Sequence, residues 1–126
     1  MSATNRKSKR SPGDFYQTPA WCVRELYKSV SLPFPTLDPC AGTGALVGTA
    51  TGLWPADCGI RGVELNPDLV EEARTKNLRV SVGDGIATSW KDEHVLMNPP
   101  YSEAEKWVYK AVAETETAAV LLRLGF

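Results

Sequence analysis

The sequence predicts an α/β fold in which an open, mainly parallel sheet carries helices on both faces. Three observations lead to this prediction. Short apolar runs alternate with segments of helical periodicity along most of the chain. Glycine- and proline-containing turns separate the two kinds of segment. Polar residues follow the apolar runs one after another, at positions that share one edge of a parallel sheet.

The first predicted elements are a lead-in helix and a buried strand. Thr18 is suited to cap a helix whose first position is Pro19, and apolar residues recur behind it at spacings near 3.6. Residues 36–38 are typical of a short buried strand. The glycine-containing turn at 41–44 then opens a helix of small residues that runs to about Ala50.

A second strand and helix follow, and then a third strand. Residues 58–65 form the second predicted strand. Asn66 is a cap residue and Pro67 a first-turn proline, so a helix is expected from there to about Lys76. Residues 78–82 form the third predicted strand, which ends in a Gly-Asp-Gly turn.

The last third of the chain repeats the pattern. Residues 94–97 are predicted to be the fourth strand, and residues 118–124 the fifth. Between them a helix is expected to begin at Ser102, where Glu105 has the spacing of a capping box. The apolar face of this predicted helix consists of Trp107, Val108, Ala111 and Val112.

The composition excludes several classes of protein. Apolar residues make up 43% and charged residues 23% of 126 residues, which is typical of a single soluble domain. No apolar run approaches the roughly 20 residues of a membrane span, and no secretory signal is evident. Cys22, Cys40 and Cys58 favour neither a disulfide framework nor a zinc site, and are expected to be reduced and mostly buried. His94, the single histidine, is expected to be structural.

The charge is distributed unevenly. Four of the fourteen basic residues lie in the first ten positions, namely Arg6, Lys7, Lys9 and Arg10. Residues 1–13 are therefore expected to be a disordered basic tail, and residues 14–126 a folded, acidic domain. Such a tail either contacts nucleic-acid phosphates or serves only as a solvated extension.

The first polar cluster runs from Asp38 to Gly44 and includes Cys40 and Ala41. Gly42 and Gly44 let the backbone approach a ligand closely. The cluster lacks the third glycine of a dinucleotide-binding turn, and it carries an acid where a pyrophosphate would be repelled. The sulfonium and ammonium groups of S-adenosylmethionine suit it better, although an ordinary tight turn is the alternative.

Two further acids follow the second and third strands. Glu64 lies twenty positions after Gly44, the spacing at which an acid in a βαβ unit reaches ribose hydroxyls. Asp84 lies between two glycines, where it is suited to accept from an adenine amino group, with the amide of Gly85 or Ile86 available to the ring nitrogens. A solvated strand-end charge and an Asp-Gly turn are the respective alternatives.

The quartet Asn98, Pro99, Pro100 and Tyr101 follows the fourth strand. The prolines remove two backbone donors, so the Asn98 amide oxygen and the Pro99 carbonyl can both accept from one amino group. Tyr101 offers an aromatic face for a planar base that has been flipped out of a duplex. A proline turn before a helix is the alternative for these residues in isolation.

With these residues in this order, positions 14–126 resemble the adenine-N6 DNA methyltransferases, including several phage enzymes. The resemblance implies a Rossmann-like class I methyltransferase fold, S-adenosyl-L-methionine as the cofactor, DNA as the partner and no metal. It also implies direct in-line transfer and a location in the cytoplasm of a bacterium or a phage-infected host. The implied catalytic residues are Asn98, Pro99, Pro100 and Tyr101. The implied cofactor residues are Phe15, Tyr16, Thr18, Pro19, Asp38, Cys40, Ala41, Gly42, Gly44, Glu64, Leu65, Asp84 and Gly85.

The sequence departs from this family after the fifth strand. The family fold adds strands 6 and 7 and a target-recognition region, whereas this sequence ends at Phe126, so an incomplete domain is expected. Three interpretations stay open: a truncated product, a minimal enzyme completed by self-association or a partner at the open edge of strand five, and a noncatalytic cofactor-binding module. Weak activity on duplex DNA is expected of the chain alone. Glutamine and ribosomal RNA amino-group methyltransferases carry a similar quartet and are alternative relatives.

Overall fold

A computed structural model describes residues 17–30, 35–54 and 59–122 of the chain. The helices are α1 (Ala20–Ser29), α2 (Ala45–Leu53), α3 (Pro67–Thr75) and α4 (Ala104–Glu114), and a 3₁₀ turn spans Tyr101–Glu103. The strands are β1 (Thr36–Asp38), β2 (Arg61–Glu64), β3 (Val80–Val82), β4 (His94–Met97) and β5 (Ala118–Val120). Predictions made for the tail at 1–13, Phe15, Tyr16 and Cys58 lie outside the described residues.

The five described strands form one sheet in the order β3-β2-β1-β4-β5, and every pair of neighbours is parallel. The predicted α/β architecture is therefore confirmed. The chain builds the sheet outward from β1 through β2 to β3, and then returns to add β4 on the other side of β1. In open sheets of this kind, ligands bind at the carboxyl ends of the strands near such a reversal.

Helices cover both faces of the sheet. On one face, α1, α2 and α3 enclose a core of Val23, Ala41, Leu46, Val47, Ala50, Trp54, Ile60, Val70, Ala73, Val80 and Leu96. On the other face, α4 packs over Leu37, Val63, Trp90, Val95, Met97, Trp107 and Ala111. Leu96 faces one core while Val95 and Met97 face the other, as the alternation of side chains along a strand requires. Burial of both faces explains why β4 is a continuous apolar run rather than an alternating one.

Local sequence signals account for the start of α3. The Asn66 side chain accepts a hydrogen bond from the Asp68 amide at 2.9 Å, and Pro67 occupies the first turn. This cap satisfies a helix donor that would otherwise lack a partner, and the proline already has a helical φ angle. The prediction of a helix from Asn66 onward is confirmed.

The predictions for Thr18 and for the second and third strands need correction. The residue before α1 is Pro19, and the helix has no side-chain cap, because the Thr18 hydroxyl is used elsewhere. β2 begins only at Arg61, since Gly59 has a φ of +64° that an extended strand cannot include. β3 begins at Val80, because the Leu78 amide still bonds the Ala73 carbonyl at the end of α3.

The last two elements also differ from the predictions. α4 begins at Ala104 rather than Ser102, because a 3₁₀ turn comes first. It packs through Ala104, Trp107 and Ala111, which leaves Val112 79% exposed instead of on the apolar face. Within the described residues, β5 ends at Val120. Cys22 and Cys40 form no disulfide within the described part of the chain, and both are partly buried.

The described ranges contain neither a candidate membrane span nor a candidate metal site. No helix in them combines the length and apolar character needed to cross a membrane. In the same ranges, no group of three or more histidine, cysteine, aspartate or glutamate side chains is arranged to hold a metal ion.

We expect Gly85→Ala to lower the free energy of unfolding by about 1 to 3 kcal/mol or more, as overpacking does. A Cβ atom at Gly85 would lie 1.7 Å from the Pro39 carbonyl oxygen, and backbone would have to move. Gly52→Ala is the matched control, because a Cβ there meets nothing within 4 Å. This change in α2 should raise stability by about 0.5 to 1 kcal/mol. Urea denaturation measures both, and equal effects would contradict the close approach.

Candidate cofactor and acceptor site

The predicted polar residues gather at the carboxyl edge of the sheet. Asp38 ends β1, Glu64 ends β2, and Asp84 and Asn98 follow β3 and β4 within two residues. β1 pairs directly with β4, and the strand order reverses between them. The loop that follows Asp38 therefore lies beside the turn that begins at Asn98. The fold thus brings two polar clusters together that are sixty residues apart in sequence.

The loop after β1 depends on two glycines. Gly42 has a φ of +58° and Gly44 a φ of +86°, conformations that residues with a Cβ atom rarely adopt. Gly44 is also the residue that begins α2, and a Cβ there would lie 2.7 Å from the Leu78 side chain. The Ala41 amide bonds the Val63 carbonyl at 3.0 Å, which fastens the loop to β2. The loop is therefore a tightly packed, buried turn at positions where larger side chains are excluded.

Glu64 is a buried carboxylate that fixes this loop. Its exposed fraction is 2%, so it is not the solvated strand-end charge considered from the sequence. One carboxylate oxygen accepts from the Gly42 amide at 2.8 Å, and the other accepts from the Asn66 amide at 2.9 Å. A carboxylate has about four lone-pair positions, so these bonds leave capacity for further donors. Leu65, the next residue, is 38% exposed at the same edge.

Asp38 is the second buried acid, with 2% of its surface exposed. Its side chain accepts from the Cys40 amide at 3.2 Å. Burial raises the pKa of the Asp38 carboxyl from 3.8 to about 7, the Cys40 amide offsets part of this, and the negative charge of Glu64 raises it further. Near neutral pH, Asp38 thus exchanges between its protonated and ionised forms.

Asp84 accepts hydrogen bonds within a local turn. Its side chain accepts from the Ile86 amide at 3.2 Å, and its backbone carbonyl accepts from the Thr88 hydroxyl at 2.8 Å. The Ile86 amide is therefore used within the turn, so of the two amides considered for the ring nitrogens, that of Gly85 or that of Ile86, the Ile86 amide already has an acceptor. The Asp84 residue itself is exposed, and Gly85 behind it is buried against the Pro39 carbonyl.

Trp90 holds this turn in place, and the sequence analysis did not identify it. Its indole nitrogen donates to the Gly85 carbonyl at 2.9 Å, and its ring stacks on Trp107 with centroids 6.0 Å apart. Its backbone amide donates to Glu114 at 2.8 Å. A single tryptophan among polar turn residues could have indicated a buried position. Because Trp90 belongs to no periodic apolar pattern, the sequence analysis did not use it.

Asn98 connects three segments of the chain. Its side-chain nitrogen donates to the Thr18 hydroxyl at 3.1 Å, across eighty positions of sequence. Its backbone carbonyl lies 3.5 Å from the Cys40 sulfur and accepts from that thiol. With the amide nitrogen directed at Thr18, the amide oxygen lies on the opposite side of the group. Thr18 and Cys40 thus join the asparagine to the lead-in segment and to the glycine loop.

The rest of the quartet forms the turn into α4. Pro99 and Pro100 are buried, and the Glu103 amide bonds the Pro100 carbonyl at 3.0 Å. Tyr101 is partly exposed in the 3₁₀ turn. The fixed φ angles of the two prolines restrict the backbone of this turn directly after Asn98. Pro19, predicted to border the cofactor, precedes α1 next to Thr18.

No family model matches the chain, and no curated protein does. Solved structures do match. Methanocaldococcus jannaschii Trm5 in complex with adenosine has a TM-score of 0.60 and 23% identity, and the match covers 82% of this chain. The M. jannaschii tRNA m1G37 methyltransferase has a TM-score of 0.59 and 23% identity, and the match covers 82% of this chain. A Pyrococcus horikoshii protein named as a candidate RNA methyltransferase has a TM-score of 0.68 and 21% identity, and the match covers 86% of this chain.

The chain shares its Rossmann-like fold with these proteins. The match spans 34% of the Trm5 chain, 33% of the tRNA m1G37 methyltransferase and 63% of the P. horikoshii protein. At these identities the likeness concerns the arrangement of strands and helices, and the activity has to be argued from the side chains at the carboxyl edge.

We expect the free energy of unfolding to fall by about 2 to 3 kcal/mol between about pH 5 and pH 8 through Asp38 alone. Because the pKa of this carboxyl is about 7 in the folded chain and 3.8 as the ordinary value, the folded state binds the extra proton in that window. Stability is therefore lost as pH rises, until the group is ionised in both states. Urea denaturation at both pH values measures the difference.

Asp38→Asn should remove this part of the pH dependence, because asparagine keeps an acceptor for the Cys40 amide without a charge. Glu71→Gln, a change at an exposed residue of α3, should leave it in place. An Asp38→Asn variant with the wild-type slope would show that Asp38 is ionised throughout.

Proposed function

We propose that this chain binds S-adenosyl-L-methionine and transfers its methyl group to an exocyclic amino nitrogen, that of adenine N6 in DNA. The observation that carries the proposal is the junction at Asn98. Its backbone carbonyl accepts from the Cys40 thiol in the loop of Asp38 to Gly44, and its side-chain amide, a group suited to hold an amino group, donates to Thr18. A methyl donor in that loop would lie beside the acceptor.

The donor set of the loop fits a cationic ligand. Asp38 and Glu64 are both buried at the carboxyl edge, where two negative charges repel phosphates. S-adenosylmethionine has a sulfonium and an ammonium group but no phosphate. Gly42 and Gly44 supply the close backbone approach that the methionine portion needs.

The remaining acid and its neighbours fit a nucleoside. Glu64 retains lone pairs for ribose hydroxyls beyond those used by the two backbone amides. Leu65 offers an exposed apolar side chain, and Asp84 an exposed carboxylate, for the adenine ring and its amino group. The adenosine bound to M. jannaschii Trm5, a protein of the same fold, supports a nucleoside site on such a scaffold.

The acceptor would be held by Asn98 and the turn behind it. The amide oxygen of Asn98 and the Pro99 carbonyl accept the two hydrogens of one amino group, which directs its nitrogen lone pair toward the methyl donor. Tyr101 stacks on the ring of the base. These groups act through orientation and fixed dipoles, which together can lower a barrier by several kcal/mol.

S-adenosylmethionine, when bound, supplies a methyl group whose bond to sulfur breaks as the bond to nitrogen forms, with the electron pair left on sulfur. The chain has no need of a strong base. An amino nitrogen that gains a methyl group becomes acidic, and its proton passes to the Asn98 amide oxygen, the Pro99 carbonyl or water.

An RNA amino group is the second candidate acceptor. It is supported by the solved structures of the same fold, two of which are named for RNA or tRNA methylation. A noncatalytic cofactor-binding module is the third candidate, in which the buried loop and Glu64 bind S-adenosylmethionine without methyl transfer.

We expect the affinity for S-adenosylmethionine to rise at least about tenfold from about pH 5.5 to about pH 7, as Asp38 ionises. A cation bound beside this carboxyl favours its ionised form, so binding releases a proton. Adenosine lacks both cations, and its affinity should change less than about twofold over the same range. Isothermal titration calorimetry in two buffers of different ionisation enthalpy measures affinity and proton release together.

Asp38→Asn should abolish the pH dependence of the affinity for S-adenosylmethionine. Asp84→Ala should weaken the binding of both S-adenosylmethionine and adenosine at every pH. A folded wild-type chain that binds neither ligand at millimolar concentration would refute the cofactor assignment.

We expect the chain with tritiated S-adenosylmethionine to label adenine-containing DNA, and the digested product to be N6-methyladenine. Asn98→Ala should reduce transfer about a hundredfold or more while cofactor affinity stays within about twofold, because the lost contacts act on the acceptor in the transition state. Single-stranded DNA, duplex DNA, RNA and a glutamine peptide are compared as acceptors.

Thr18→Val should lower transfer about five- to tenfold, the loss expected for one neutral hydrogen bond, and Thr18→Ser should restore it. Label in RNA alone would favour the second candidate, and cofactor binding with no transfer to any acceptor would favour the third. Methylation of cytosine C5 would rule out the amino-group mechanism.

A further inference from the structure

Trp21 differs from every other tryptophan of the chain. Its exposed fraction is 62%, whereas Trp54, Trp90 and Trp107 are 8%, 0% and 6% exposed. The other three lie in the cores or on other rings, but Trp21 presents an aromatic surface to solvent. Burial in this structure therefore does not explain the residue.

The position of α1 puts Trp21 at the rim of the proposed acceptor site. α1 packs along α2, and Tyr27 in its last turn meets Trp54, the residue after α2, with ring centroids 4.9 Å apart. Since α2 begins at the carboxyl edge of the sheet, α1 runs in the same direction, and its first turn lies at that edge. The bond between Thr18 and Asn98 fixes this arrangement. Trp21 follows Thr18 by three residues, so their Cα atoms are at most about 11 Å apart.

A cation lies on the same exposed side of α1. Arg24 is exposed one helical turn after Trp21, the spacing at which helix side chains are neighbours. Within the described part of the chain, no carboxylate is paired with Arg24, since Glu25 is paired with Lys28 at 2.7 Å. An exposed indole beside an unpaired guanidinium is the combination that binds a base by stacking and its phosphate by charge.

We propose that Trp21 and Arg24 form a contact surface for an unpaired DNA strand, with Trp21 stacking on a base next to the one held at Asn98. The proposal rests on the proposed function for the nucleic-acid nature of the acceptor. Stacking at the rim offsets part of the free energy needed to unstack the acceptor base, because the flanking base gains an aromatic partner. The indole provides this contact for any base, so the surface holds the strand without selecting a sequence.

The test uses the full chain and a fluorescein-labelled single-stranded oligonucleotide that contains adenine. Fluorescence anisotropy should give a Kd that rises about tenfold or more for Trp21→Ala, the usual effect of losing one stacked base, and less than about threefold for Trp21→Phe. Arg24→Gln should reduce the slope of log K against log salt by about 0.7. Tyr109→Ala is the matched control, because Tyr109 is an aromatic residue 67% exposed on α4.

Intrinsic fluorescence provides a second readout that needs no variant. Trp21 is the one tryptophan accessible to iodide, so an unlabelled oligonucleotide should protect the iodide-quenched part of the emission. Circular dichroism checks that Trp21→Ala is folded, and if it is not, Trp21→Phe and Arg24→Gln together with the iodide measurement decide the question.

The possible outcomes separate this proposal from the proposed function. If Trp21→Ala weakens binding of the oligonucleotide but the wild type transfers no methyl group, the contact surface is supported and the proposed reaction is refuted. Wild-type transfer with unchanged binding by Trp21→Ala overturns the surface alone. If Trp21→Ala weakens the binding of an RNA oligonucleotide but not that of a DNA oligonucleotide, the assignment to DNA is overturned. If a protein protects Trp21 from iodide and the oligonucleotide does not, the assignment to nucleic acid is overturned.

Discussion

The buried carboxylate of Glu64 is the interaction on which the carboxyl edge depends. Each of its oxygens accepts a backbone amide, one from Gly42 in the loop after β1 and one from Asn66 at the start of α3. A buried charge is tolerated only when donors surround it, so both segments must hold their positions for the fold to form. The loop, the end of β2 and the first turn of α3 therefore behave as one unit. A ligand that meets this edge meets backbone that is already ordered.

The same edge carries an electrostatic cost. Asp38 and Glu64 are both almost fully buried, and burial together with the negative charge of Glu64 disfavours the ionised form of Asp38. The Cys40 amide compensates Asp38 only in part, which leaves its pKa at about 7. Strongly perturbed acids of this kind cluster at functional sites, which agrees with the position of Asp38 at the carboxyl edge of the sheet.

The turn that follows β4 is joined to this unit by contacts between distant segments. Asn98 bonds Thr18 through its side chain and Cys40 through its backbone, so the lead-in segment, the glycine loop and the turn before α4 converge on one residue. Trp90 fixes the turn at Gly85 from the opposite face of the sheet. Through these bonds, the glycine loop, the lead-in segment and the turn before α4 hold one another in place.

The sequence by itself determined the fold class, the order of the elements and the edge at which the acids lie. These follow from signals within a few residues of one another: the alternation of apolar runs and turns, the cap at Asn66, and glycines where φ is positive. Only the tertiary structure decided which groups those residues meet. Thr18 bonds Asn98 instead of capping α1, the Ile86 amide turns back to Asp84, and Val112 of α4 lies in solvent. Each outcome depends on how helices, strands and turns pack around a residue. Hydrogen-bond partners up to eighty positions apart compete for the same groups, and the neighbouring sequence does not show which partner is chosen.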